Sequence, residues 1–584
     1  MADKLSGAII KLSGSRILFN KLTQHNVKYV FGYPGGAILP VLNEFYNQKK
    51  IKYVLSKTEL GGCFMAEGYS KITQTVGVAM VTSGPGALNT ITSLQNALSD
   101  GTPLLVLSGQ VSTSVLGTDA FQEADVIKIS HACTKWNSMI TEGNKINTIV
   151  DNAFDHMLDN RHGPVLLDLP KNIMSQSYDN SIDNNQDVLY QSERIKDTIV
   201  PEDILNMIHE SERPVILAGQ GIYQSGAINE LRYLSKKYSI PVTTTLMGLG
   251  VYPENDYLSL KMLGMHGSYY ANMAIQNCDL LLNFGSRFDD RIIGDPKKFA
   301  PKAKIVHVDI NARNINKVIK TKYYINGDCK KVINKILKSK SNLYNSNNII
   351  AWLYQINIWK KTDFSYPRSS FLQGREVINE LNKIIHNDII NKYTIVADVG
   401  AHQMWAAQFI NYNYPKIKWI TSGGLGSMGF ALPASIGAKI GKPYEKIICI
   451  CGDGGFTMSF VELLTAVQNN VNIKVLVINN SYQLMVKMWQ EKFYNNQLIG
   501  VKMDNPSFED VAKSLGCHGI RISSNNNLKK ELEYVLNYEN GPIIANIITD
   551  ENESVLPMVS PGKALDDMIL NEDNKDKYLG DAPC

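Results

Sequence analysis

Two short apolar runs, each ending in a polar cluster, constrain this chain most. Ile447–Cys451 leads directly into Gly452-Asp453-Gly454, and Ile473–Ile478 leads into Asn479-Asn480. Runs of this length, bounded by glycine and asparagine, read as buried parallel strands with a helix between them, expected over Phe460–Gln468. Parallel strands joined by a helix end at the same edge of a sheet. One point there therefore receives a carboxylate from Asp453, an amide oxygen from Asn480 and the open backbone of Gly452, Gly454 and Gly455. Hard oxygen donors of this kind suit Mg²⁺, which takes one or two protein groups and completes its shell with diphosphate oxygens and water.

The same alternation of apolar runs and amphipathic stretches continues along nearly the whole chain. At 584 residues and 65.1 kDa it exceeds a single core. The expectation is an α/β protein of three doubly wound parallel-sheet domains. A first block, 1–175, carries strands at Tyr29–Phe31, Val78–Thr82, Leu104–Ser108 and Val165–Asp168. The polar stretch Ser175–Glu193 reads as a linker. A second block, 199–340, has Gly219-x-Gly221 after its first strand and Asp309 at the end of the strand Ile305–Val308, where a ribose or adenosine partner is expected. The patch Lys338–Asn348 separates it from a third block, 370–548, and 549–584 reads as a tail that folds over another part of the molecule.

Composition excludes several classes. The 59 basic and 55 acidic residues leave a charge of +4, too weak to point to a nucleic-acid or membrane partner. No apolar run reaches the length of a membrane span. Met1–Arg16 lacks the apolar core of a secretion signal, so the expected compartment is the cytosol or a plastid stroma. The eight cysteines contain no CxxC pair and read as reduced, buried thiols.

The first block adds a second half-site. Tyr33-Pro-Gly-Gly36 ends a strand in a glycine turn, and Glu59 comes after a further strand in Val54-Leu-Ser-Lys-Thr-Glu-Leu-Gly-Gly. The interval from GDG to NN is similar to the motif of thiamine-diphosphate enzymes, whose chemistry needs a carboxyl group against N1′ of the aminopyrimidine. Narrower segments point the same way. Thr82-Ser-Gly-Pro-Gly, Asp119-Ala-Phe-Gln-Glu-Ala-Asp125, Cys133-Thr-Lys-Trp-Asn137, Met247-Gly-Leu-Gly, Met262-Leu-Gly-Met-His-Gly267, Phe288-Asp-Asp-Arg291 and Thr421-Ser-Gly-Gly-Leu-Gly426 resemble the catalytic large subunit of the acetohydroxyacid synthase family. The resemblance runs from about Gly7 to Leu565.

This resemblance implies a role for each matching residue. Glu59 is the N1′ partner, supplied by one subunit to a cofactor held by another, so a homodimer or higher homo-oligomer is expected. Met428 supports the bent cofactor and the Gly426 carbonyl accepts from its 4′-amino group. Asp453, Asn480 and the Tyr482 carbonyl hold Mg²⁺; Gly36, His402, Gly452, Gly454, Gly455 and Met485 complete the thiamine-diphosphate site. Gln122 and Lys171 line the substrate path as catalytic polar groups, and Trp489 favours 2-ketobutyrate over pyruvate as second substrate. Arg161, His266, Gly267, Arg287, Asp309 and Asp328 hold a largely structural FAD. The implied reaction decarboxylates pyruvate and condenses the two-carbon unit with a second 2-keto acid, the first common step of branched-chain amino-acid biosynthesis. A regulatory small subunit is a further expected partner.

The chain departs from the family pattern at several places. Thr58 and Leu60 flank Glu59 where His and Gln are usual, Phe64 replaces His, Ala401 and Met488 replace Gln, and Leu484 replaces Gly. Loss of a hydrogen bond to a charged group costs about 1.5–3 kcal/mol, so weaker cofactor binding is expected from Ala401. An apolar Leu60 is expected to disfavour the charged form of Glu59. Two other readings stay open from the residues alone. One is a different thiamine enzyme (a pyruvate oxidase, glyoxylate carboligase or 2-keto acid decarboxylase); the other is a weakly active or non-catalytic paralogue that keeps the fold.

Overall fold

A computed structural model describes residues 11–179, 193–340, 347–362, 366 and 369–571. It contains three six-stranded sheets, each parallel throughout. Their strands are runs of Val, Ile, Leu, Ala and Cys buried on both faces, as sheets covered by helices on two sides require. The α/β reading with three doubly wound sheets is therefore what the chain forms.

In chain order the first sheet runs 2-1-3-4-6-5, from Lys52–Leu55 at one edge to Trp136–Met139 at the other. The third sheet, from Ile417–Thr421 to His518–Ile522, repeats that order. The central sheet runs 3-2-1-4-5-6, with Pro214–Ala218 beside Leu280–Phe284 at its middle, the order of dinucleotide-binding sheets. Ligands in such sheets sit beyond the carboxyl ends of the strands, where the strand order reverses. In the third sheet that point lies between Tyr393–Ala397 and Lys446–Gly452.

One apolar cluster joins the first and third sheets, with Ala79, Val106 and Leu166 from one and Ile447, Cys449 and Val475 from the other. Between them the helices Glu59–Thr73 and Ala431–Gly441 cross at van der Waals distance. An added Cβ on Gly68 would overlap the Ala434 backbone, and one on Gly437 the Met65 backbone. Bare glycines allow this approach, and it fixes the two sheets relative to one another.

Two local expectations change. The helix after Gly452 begins at once, Asp453–Ser459, passes through one 3₁₀ turn at Phe460–Glu462 and resumes at Leu463–Gln468. The sequence placed its start too late because Gly454 and Gly455 are poor helix formers, yet Asp453 in the first turn favours an N-terminus there. Ser175 and Ser177–Asp179, read as linker, instead end a helix and pair with Lys11–Ser13 as an antiparallel strand. Residues 180–192 of that linker, 341–346 of the second polar patch and 572–584 of the tail lie outside the described residues. The described part of the tail folds onto the central sheet. Met558–Val559 pairs with Met568–Ile569, and Val559, Leu565 and Met568 pack among Leu260, Leu281 and Phe288.

Candidate active site

At the reversal point of the third sheet lies a cavity of about 560 Å³. Asp453 enters it from the first turn of its helix, Asn480 from the end of the strand Lys474–Asn479, and Tyr482 from the turn beyond it. His402, Gly426, Met428, Gly452, Gly454, Gly455, Met485 and Trp489 also line it. The grouping expected from GDG and NN is thus made by two adjacent strand ends.

Hydrogen bonds hold the oxygen donors in place. Asp453 accepts from the Gly454 amide at 2.9 Å and from Asn505 Nδ2 at 2.9 Å. Asn505 also donates to Asn479 Oδ1 at 3.1 Å, and the Tyr482 amide donates to Asn480 Oδ1 at 3.0 Å. Burial pushes the Asp453 carboxyl up to about 6. His402 lies against Gly400 and Gly452; its Nε2 accepts from the Gly452 amide at 3.2 Å, and burial holds its imidazole down at about 4. The ring is therefore neutral near pH 7.

Two organisers escaped the sequence reading. Asp398 is fully buried, and its carboxylate accepts from the Val399, Gly429 and Ala431 amides at 2.8, 3.0 and 3.0 Å. It fixes the loop that carries Gly426, whose φ of +76° is in the left-handed region. Its position, just past the strand Tyr393–Ala397, was the available signal. Asn505 had none, because it reaches the site from a loop 52 residues beyond Asp453.

The substituted positions are used structurally. Ala401 starts a helix, lines the cavity and offers no donor, while the neighbouring Gln403 amide is engaged by Thr421 Oγ1 at 2.7 Å. Leu484 starts the helix Leu484–Phe493 and is buried with Met488 in an apolar cluster. Leu60 packs against the core, and Phe64 meets Phe430 edge-on at 5.2 Å.

A second half-site stands apart. Glu59, Gly36, Gln122 and Lys171 each come after a strand of the first sheet, at its carboxyl edge. Glu59 Oε2 accepts from Asn89 Nδ2 at 3.1 Å. Gln122 is half-buried with φ +60°, and Gly36 and Lys171 are exposed. Among the described residues, none of the first 175 lines the cavity around Asp453. The two groups expected to share a site are not brought together within one chain.

A second cavity, about 190 Å³, opens at the reversal point of the central sheet and shares seven lining residues with the first, Arg287, Asp289, Gly423 and Gly424 among them. Arg161, Arg287, Asp309 and Asp328 line it, beside Gln220 and Gly221. Arg161 donates to the Leu98 and Ser99 carbonyls, both at 2.6 Å, and Arg287 to Ser99 O at 3.1 Å. Burial and the neighbouring Arg287 disfavour the Arg161 charge, while Asp309 and Asp100 favour it. His266 lines the larger cavity instead, and Gly267 lines neither.

Known proteins are similar to this chain along nearly its whole length. The family model described as the N-terminal TPP binding domain of thiamine pyrophosphate enzymes matches residues 12–129. The central-domain and C-terminal TPP-binding-domain models match 202–336 and 398–547. The mitochondrial acetolactate synthase of Schizosaccharomyces pombe is 40% identical over 97% of this chain and 88% of its own length. The mitochondrial acetolactate synthase catalytic subunit of Saccharomyces cerevisiae is 40% identical over 96% and 84%. The acetolactate synthase large subunit of Cyanidium caldarium is 39% identical over 95% and 96%. With both thiamine-binding halves and nearly the full length matched, the chain belongs to the thiamine-diphosphate-dependent acetolactate synthases.

Proposed function

We propose that this enzyme decarboxylates pyruvate and joins the two-carbon unit to a second pyruvate or to 2-ketobutyrate, with the roles of its residues divided between two subunits. The convergence of Asp453, Asn480, Tyr482 and His402 on one cavity that also holds Trp489 carries this reading. Thiamine diphosphate, when bound, supplies the nucleophilic carbon and the electron sink. The protein binds, orients and excludes water.

The donor set fits Mg²⁺: one carboxylate, one amide oxygen and one backbone carbonyl, with room for diphosphate oxygens. Asp453, Asn480 and the Tyr482 carbonyl would hold it, beside the open backbone of Gly452, Gly454 and Gly455. Met428, Met485 and the Gly426 carbonyl would shape the cofactor, and Trp489 would wall the second keto acid. Glu59 would hold a proton at N1′ of a partner's cofactor, with Gly36, Gln122 and Lys171 completing that half. This division is supported by the separation of the halves and by exposed Leu88 and Phe121 near one half and Leu425 and Met458 near the other. Apolar side chains left in water beside incomplete sites fit a homodimer interface.

We assign FAD to the second cleft because it opens at the reversal point of a sheet with the strand order of dinucleotide-binding folds, with Asp309 ending one of its strands and Arg161 and Arg287 in its lining. Arg161, Arg287, Asp309 and Asp328 would hold it; His266 lines the larger cavity and Gly267 neither. Domain limits of 1–175, 199–340 and 370–548, with the tail from 549, suit this division of labour. A regulatory subunit accords with relatives named as catalytic or large subunits. The cytosol or a plastid stroma accords with seven free, buried thiols among the described residues. No helix among those residues is long and apolar enough to cross a membrane.

The test is acetolactate formation from pyruvate with thiamine diphosphate, Mg²⁺ and FAD. Robust product that falls by roughly 10²–10⁴-fold in Glu59→Gln is expected. Acetaldehyde, acetyl phosphate or no product would refute the reading.

A further inference from the structure

We infer that Glu462 and Thr58 are positioning residues for Glu59, acting as a capping box assembled across the chain. Helix starts leave backbone amides without partners, and a capping box satisfies them with an N-cap Ser or Thr and a Glu at N3. The helix that opens with Glu59 has the first half of this device: Thr58 is its N-cap, and Thr58 Oγ1 accepts from the Gly61 amide at 2.9 Å. The N3 residue is Gly61, which has no side chain to complete it.

Glu462 supplies the missing carboxylate from the third block. It is 1% exposed, and its Oε1 accepts from the Thr58 amide and the Thr58 hydroxyl, both at 3.0 Å. Its Oε2 accepts from the Lys57 amide at 3.0 Å and from Thr465 Oγ1 at 2.9 Å. A Cβ added to Gly61 would overlap Glu462 Oε1, so the bare N3 position is what admits the carboxylate. Glu462 also closes the 3₁₀ turn that follows the helix beginning at Asp453. The orientation of Glu59 is therefore set by the half of the chain that carries the oxygen donors, through Thr58, which stands where the family pattern has His.

The inference rests on the assignment of Glu59 as the N1′ partner, and the test separates the two. Exchange of the C2 hydrogen of bound thiamine diphosphate for deuterium, quenched in acid and read by proton NMR, reports the placement of Glu59 without turnover. Thr58→Val removes both hydroxyl bonds at an exposed position and Glu462→Gln removes the charge; each is expected to slow exchange roughly 10–100-fold, the scale of a misplaced catalytic group. Thiamine-diphosphate affinity and the KM for pyruvate should stay within about threefold, and Thr58→Ser should restore exchange. Slow exchange in Glu59→Gln with normal exchange in Thr58→Val and Glu462→Gln would overturn the positioning role. Normal exchange in Glu59→Gln would overturn the assignment beneath it.

Discussion

Replacing Asp398 by Asn tests how the loop around Gly426 and Met428 is held. The carboxylate takes three backbone amides, with both oxygens in use, and it is fully buried. A hydrogen bond to a charged group contributes about 1.5–3 kcal/mol. Asparagine keeps one acceptor oxygen and turns an NH₂ donor toward either the Ala431 amide or the Val399 and Gly429 amides. At least one bond is lost and one buried donor is left facing another, a cost of about 2–4 kcal/mol to the ordered loop. If half or more falls on the ligand-ready conformation, thiamine-diphosphate affinity drops roughly 10–100-fold, since about 1.4 kcal/mol is a factor of ten. Titration calorimetry with Mg²⁺ present measures this directly. A dissociation constant within twofold of the parent would refute the assigned role of Asp398.

Three further outcomes are expected. Trp489→Leu should lower the preference for 2-ketobutyrate over pyruvate by about 10-fold or more, read as the product ratio in a competition assay; an unchanged ratio would remove Trp489 from the substrate wall. Arg161→Ala should weaken FAD retention about 10–100-fold, measured by released flavin fluorescence, and full retention would contradict the assignment of that cleft. Burial pushes the Glu67 carboxyl up to about 7, although Ser93 and Asn96 donate to it and Lys71 is near. A raised folded value means the contribution to stability is complete below about 4.5 and is lost as pH rises through about 7. Urea midpoints should therefore fall between about pH 4.5 and 7 in the parent and fall less in Glu67→Gln; parallel profiles would contradict this.

The parts of the site legible in the sequence were those where an apolar run stops at a polar residue. Asp453 and Asn480 are strand-end residues on neighbouring strands, so local pattern alone brought them together. Asp398 obeys the same rule, yet a lone Asp after a strand carries no second marker. Asn505 and Glu462 act across 52 and about 400 residues, and no local period encodes such a contact. Glu462 in particular sits in Phe460-Val-Glu-Leu-Leu, where it reads as the polar face of a helix rather than as a buried cap. Strand order was equally hidden: the edge strand Trp136–Met139 precedes Val165–Pro170 in sequence but lies outside it. The early helix start at Asp453 was missed because propensity penalises paired glycines, while an open backbone at the strand end favours them.

If Glu59 and Asp453 of one chain serve different active sites, two inactive variants should rescue one another when mixed. Glu59→Gln and Asp453→Asn subunits are purified separately, dissociated, combined in equal amounts and reassociated, and acetolactate is assayed. With sites shared between subunits, each mixed dimer has one site carrying both lesions and one carrying neither. Random pairing then returns about a quarter of parental activity. Were both residues used within one chain, every site in every dimer would carry a lesion, and a mixture no more active than its components would contradict the division between subunits.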